Sequence, residues 1–143
     1  MSNENKATVQ RIYDALALGD TSVFAASVGD DYVWQIAGQS SWSKRFEGAA
    51  AVRDGLLGPL FSRFASRYTA EVISIVGEGD VVVAEVRGRA LTHEGRRYDN
   101  EYCFVFRFSD GKIASITEYG DTDLEERVLG RYDDVLAAFA ARR

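Results

Sequence analysis

From Tyr68 onward the apolar residues recur with period two, in four β-rich runs at about residues 68–77, 80–91, 96–109 and 112–121. The runs are separated only by Gly77-Glu78-Gly79-Asp80, Thr92-His93-Glu94-Gly95 and Asp110-Gly111. Connectors this short cannot carry a chain across a sheet, so neighbouring strands must be antiparallel, and the segment folds as a four-stranded meander. Asp-Gly between apolar runs is a strong short-range hairpin signal. In the third run Tyr98, Asn100, Tyr102, Phe104, Phe106 and Phe108 alternate onto one side. Exposing that many rings would be costly, so this face must be covered.

The cover comes from the N-terminal half. Val9, Ile12, Tyr13 and Leu16 mark one face of a helix over about residues 5–18, stopped by Gly19. Residues 1–6 are polar and are expected to lack order. Asp20-Thr21-Ser22 can cap a second short helix bearing Val23, Phe24 and Val28, and Tyr32-Val33-Trp34-Gln35-Ile36 reads as a strand. Ala37 to Phe46 reads as a polar loop plus a short strand. A third helix starts near Gly48, and Pro59 should kink or divide it, because proline removes a backbone donor and clashes with the preceding turn. Residues 122–143 form a helical tail that Gly130 interrupts. Three helices, then a meander, give one α+β domain over residues 1–143, with helices on one sheet face.

Strand register decides which polar groups share the aromatic face. A two-residue Asp110-Gly111 loop sets Phe108 against Ile113, Tyr102 against Tyr119 and Asn100 against Asp121. Asp121 then ends an aromatic wall beside an amide, where a poised carboxylate is a candidate general base. A three-residue bulged loop would send Asp121 to the other face. Asp121-Thr122-Asp123 before an apolar helical run is also good helix-capping chemistry. For the preceding hairpin, a two-residue loop sets Arg87 against Tyr102 and Glu85 against Phe104, whereas a three-residue loop brings Ala84, Val86 and Gly88 to that face. Trp34 and Phe24 are either core or ligand platform. His93 reads as a surface turn residue and Cys103 as structural.

Lys+Arg is 17 and Asp+Glu is 22. The balance of −5 argues against nucleic acid and anionic membranes, which need a positive footprint. One cysteine and one histidine make a zinc site improbable, and no phosphate-binding or dinucleotide fingerprint is present. No cofactor is therefore expected. No apolar run approaches the length of a membrane span. The lone thiol and a polar N-terminus point to a reducing cytoplasm.

The stretch Gly95-Arg96-Arg97-Tyr98-Asp99-Asn100-Glu101-Tyr102, followed by Phe104-Val105-Phe106-Arg107-Phe108, Asp110-Gly111-Lys112-Ile113 and Glu118-Tyr119-Gly120-Asp121-Thr122, resembles the SnoaL-like family. That family belongs to the nuclear transport factor two-like, ketosteroid-isomerase-like superfamily, and the resemblance spans about residues 6–130. It implies a cone: a curved antiparallel sheet wrapped around helices, with an apolar cavity open at one end. It further implies a homodimer paired through the outer sheet face. Members include isomerases, polyketide cyclases, epoxide hydrolases and dehydratases, and others only bind or assemble. In the cyclases an aspartate near the end of the last strand acts as acid/base, and Asp121 is similarly placed. The Arg-x-Asp pair of the epoxide hydrolases is matched only by Glu85-x-Arg87. The expectation is a small hydrophobic, carbonyl-bearing ligand, with Asp121 moving a proton and Asn100, Tyr102 or Tyr119 holding the oxygen. The alternatives are a non-catalytic small-ligand binder and a dimeric assembly module.

Overall fold

The computed structural model describes residues 2–142. Helix α1 (Ser2–Leu16) and helix α2 (Ser22–Ser27) lead into strand β1 (Val28–Ile36). A loop then reaches the short strand β2 (Arg45–Glu47). The next helical segment has three parts: α3 (Ala49–Val52), a π-helical turn (Arg53–Leu57) and α4 (Gly58–Ser62). Strands β3 (Thr69–Glu78), β4 (Val81–Arg89), β5 (Glu101–Ser109) and β6 (Lys112–Gly120) follow, then α5 (Thr122–Leu129) and α6 (Tyr132–Ala141). The strands form one curved, open sheet in the order β2-β1-β6-β5-β4-β3. The expected α+β class and meander are both present, and β1 adds to the meander in parallel with β6.

Helix α1 begins at Ser2, so residues 2–6 are helical rather than unordered, and Asn5 is buried; Met1 lies outside the described residues. Its Val9, Ile12 and Tyr13 pack onto the concave face of the sheet, where Tyr13 meets the rings of Phe104 and Phe106. The third helix is divided as Pro59 requires. Proline has no N–H for the Gly55 carbonyl, and the hydroxyl of Tyr132 donates to that carbonyl instead. The turn before it widens to a π pattern, closed by the Gly58 N–H on the Arg53 carbonyl. Gly130, at φ +88°, separates α5 from α6 as expected.

Register settles the open alternatives. Asp110 and Gly111 both have positive φ, and Ser109 pairs with Lys112, so this hairpin does have a two-residue loop. Phe108 faces Ile113 as expected. One pair later the register slips: Arg107 faces Ser115, leaving Ala114 as an extra residue in a β-bulge. Everything beyond it is displaced by one position, so Tyr102 faces Gly120 and Phe104 faces Glu118. The β4–β5 hairpin has a three-residue loop, with Thr92 N–H on the Arg96 carbonyl, and it sets Ala84 against Phe104 and Val86 against Tyr102.

Candidate functional site

A cavity of about 320 Å³ lies between the concave sheet face and the helices. Its exposed lining residues are Thr21, just before α2, Ala25 of α2 and Arg53 of the π turn, so the mouth opens there. Its closed end is walled by Tyr98, Tyr102, Phe104, Phe106, Glu118 and Glu125, all buried. Trp34 and Phe24 line it. Their rings meet edge-on at 5.8 Å, and Trp34 stands perpendicular to Phe104 at 6.0 Å.

The bulge at Ala114 overturns the expected polar set. Asp121 is exposed and absent from the cavity wall; its carboxylate accepts from the Leu124 N–H at 3.0 Å and caps α5. The side-by-side placement with Asn100 survives only through the backbone: the Asp121 N–H donates to Asn100 Oδ1 at 3.1 Å. Asn100 is fully buried outside the cavity lining, and its amide donates to the Tyr98 hydroxyl at 3.0 Å. It orients a cavity phenol and does not itself reach a ligand. Tyr119 is turned to the outer face and 52% exposed, for the same one-residue reason. Glu85 and Arg87 also lie outside the cavity, because the three-residue loop fixes the other parity. Glu85 accepts from Ser74, and Arg87 pairs with Glu101 at 3.5 Å. Tyr102 remains in the wall.

What the bulge brings inward is Glu118, 7% exposed. The indole N–H of Trp34 donates to its Oε1 at 3.0 Å. Burial pushes the Glu118 carboxyl up to about 8, the nearby Glu125 charge adds to the rise, and the Trp34 hydrogen bond opposes it. Glu125, on the first turns of α5, is 4% exposed and raised to about 7, chiefly by burial, while the Ser40 hydroxyl holds its Oε1 at 2.6 Å and opposes the rise. Tyr68, Tyr98 and Tyr102 are all raised above the ordinary phenol value by burial, so they stay protonated donors. The arrangement joins two carboxyls poised near neutrality to a set of neutral phenols.

The loop from 37 to 44 is fastened over the closed end. Ser41 donates from both its N–H and its hydroxyl to Glu126, and the fully buried Trp42 donates to the Gly130 carbonyl at 2.8 Å. Sequence reasoning passed over Trp42, although a tryptophan inside a Ser/Gly stretch was the available signal. Glu118 had a signal too: Ile113 and Ile116 are three apart, and a regular strand cannot bury both on one face. Among the described residues no group of three His, Cys, Asp or Glu side chains could hold a metal, and no helix is long and apolar enough to cross a membrane.

The fold is shared widely. Bal32a, from a soil-derived mobile gene cassette, superposes with a TM-score of 0.77 at 22% identity, over 90% of this chain and 98% of its own. A candidate SnoaL-like polyketide cyclase from Jannaschia sp. CCS1 gives 0.73 at 18% identity, over 91% and 94%. TerC, co-crystallised with polyporic acid, gives 0.74 at 15% identity, over 88% and 98%. These likenesses show the fold alone. Among curated proteins none matches the chain. The model of the SnoaL-like domain matches residues 9–116, most of the chain, and the protein belongs to the SnoaL-like domain family.

Proposed function

We propose that the chain binds a small, mostly apolar, carbonyl-bearing molecule in this cavity and moves a proton on it without a cofactor. The observation that carries the reading is Glu118: a buried carboxyl in an aromatic wall, held by one indole hydrogen bond and poised near neutral pH. As a carboxylate, Glu118 takes a proton from the carbon next to the carbonyl. The electron pair moves onto the carbonyl oxygen, where a neutral phenol of Tyr98 or Tyr102 donates a hydrogen bond to the developing charge. On a substrate with a β,γ-double bond the resulting dienolate takes the proton back from the Glu118 carboxylic acid at the γ-carbon, which leaves the conjugated isomer; on a simple ketone the proton returns to the same carbon, which leaves hydrogen exchange. A general base of this kind contributes about 10²–10⁴-fold. Glu118 thus takes the role that the sequence assigned to Asp121. That small molecules occupy this fold is supported by TerC, co-crystallised with polyporic acid.

Val76 and Tyr119 are exposed on the convex side of the sheet, which fits a homodimer formed through that face. The single thiol of Cys103 fits a reducing compartment, and we place the protein in the cytoplasm.

The test is deuterium exchange into the position next to the carbonyl of 2-tetralone in D₂O. The reading expects exchange above the buffer rate, falling at least about a hundredfold in Glu118→Gln. Binding that survives this substitution, with no exchange even in the wild type, would establish a binding module without turnover.

A further inference from the structure

Among the described residues, the closed end of the cavity holds acceptors without a cation. Glu118 uses Oε1 for Trp34, and Glu125 uses Oε1 for Ser40. The second oxygen of each makes no hydrogen bond among the described residues, yet no buried side-chain polar atom there is orphaned. Since both residues line the cavity, those oxygens face its open space. The groups acting on Glu118 are the Trp34 donor and the Glu125 charge, and Tyr13, Tyr68, Tyr98 and Tyr102 in turn feel its charge. Glu125 meets the Ser40 donor and the Glu126 charge. Among the described residues no lysine or arginine acts on either carboxyl. Among the described residues the cationic side chain in the wall is Arg53, exposed at the mouth and paired with Asp54 at 3.1 Å.

Around these carboxyls the wall is aromatic. Phe24 meets both Tyr32 and Trp34 edge-on, and Trp34 meets Phe104 in the same way. Ring faces attract an organic cation, and buried carboxylates are stable only when paired. A neutral ligand would satisfy the shape of this cavity and leave its charge chemistry unused.

We propose that the occupant is an organic cation, an apolar body bearing an ammonium group seated against Glu118 and Glu125 with aromatic rings around it. The proposal rests on the reading of the cavity as a ligand site and adds the substrate class. It also supplies the activation of the base. With the cavity empty Glu118 is largely protonated at neutral pH, and a bound ammonium favours its carboxylate, so the substrate's own charge arms the group that removes the proton.

The experiment compares two probes of nearly equal shape, benzyltrimethylammonium and its carbon isostere neopentylbenzene, by calorimetry from pH 5.5 to pH 9. The quaternary probe does not titrate, so any pH dependence belongs to the protein. The expected result is tighter binding of the cation at pH 9, with affinity falling roughly tenfold per pH unit below about pH 8, more steeply below about 7, and proton release on binding. Glu118→Gln and Glu125→Gln should each weaken the cation and spare the isostere. Equal or tighter binding of neopentylbenzene at pH 9, or a cation affinity independent of pH, would overturn the proposal while leaving the cavity a ligand site. If neither probe binds, the ligand-site reading falls with it.

Discussion

The indole N–H of Trp34 on β1 reaches the carboxyl of Glu118 on β6 at 3.0 Å, across the parallel strand pair that extends the meander. This bond gives a buried carboxyl a donor and aims it along the cavity wall. Removing the donor while keeping an aromatic ring should raise the Glu118 midpoint further, because the bond favours the charged form. Trp34→Phe is expected to shift that midpoint up by roughly one unit, measured by NMR titration.

Stability should fall as pH rises. The folded-state pKa of Glu118, about 8, lies above the usual glutamate value of 4.5, and that of Glu125, about 7, does too. Between those limits the folded chain holds protons that the unfolded chain has released. Their contribution is fully present below about pH 4.5 and is lost as pH rises through 7 and then 8. The loss should be on the order of a few kcal/mol, read from urea unfolding at about pH 5 and pH 8.5, and Glu118→Gln should remove the larger share of it.

Asp121 should behave as a cap and nothing more. Asp121→Ala leaves the Leu124 N–H without its acceptor and should cost about 1 kcal/mol. Asp121→Asn should be nearly neutral, since asparagine caps as well as aspartate. Thermal unfolding checks both, and neither substitution should alter ligand affinity or proton exchange.

Gly88 makes room for a cavity phenol. A Cβ there would come within 3.0 Å of two Tyr68 ring carbons and closer still to its hydroxyl. Gly88→Ala should therefore displace the Tyr68 ring within the wall. The expected cost is about 1–3 kcal/mol, together with weakened ligand binding, read by chemical denaturation and calorimetry.

Much of this architecture is legible in the chain. The buried stripe of α1, the split at Pro59, the Asp110-Gly111 turn and the break at Gly130 each follow from local chemistry that leaves little choice. The site was less legible because it depends on parity, and parity is a non-local property. A single inserted residue at Ala114, carrying no glycine to announce a bulge, exchanges Asp121 and Tyr119 for Glu118. The three-residue loop after Thr92 likewise turns Glu85 and Arg87 outward. Glu125 enters the cavity only because α5 folds back over its closed end, a tertiary contact that no strand pattern encodes.

The most direct test is the titration of Glu118 itself, followed through the glutamate side-chain carboxyl carbons by ¹³C NMR. The account predicts one carboxyl with a midpoint near 8 that disappears in Glu118→Gln, and a second near 7 that disappears in Glu125→Gln. A spectrum in which every carboxyl has finished ionising below pH 6 would contradict it.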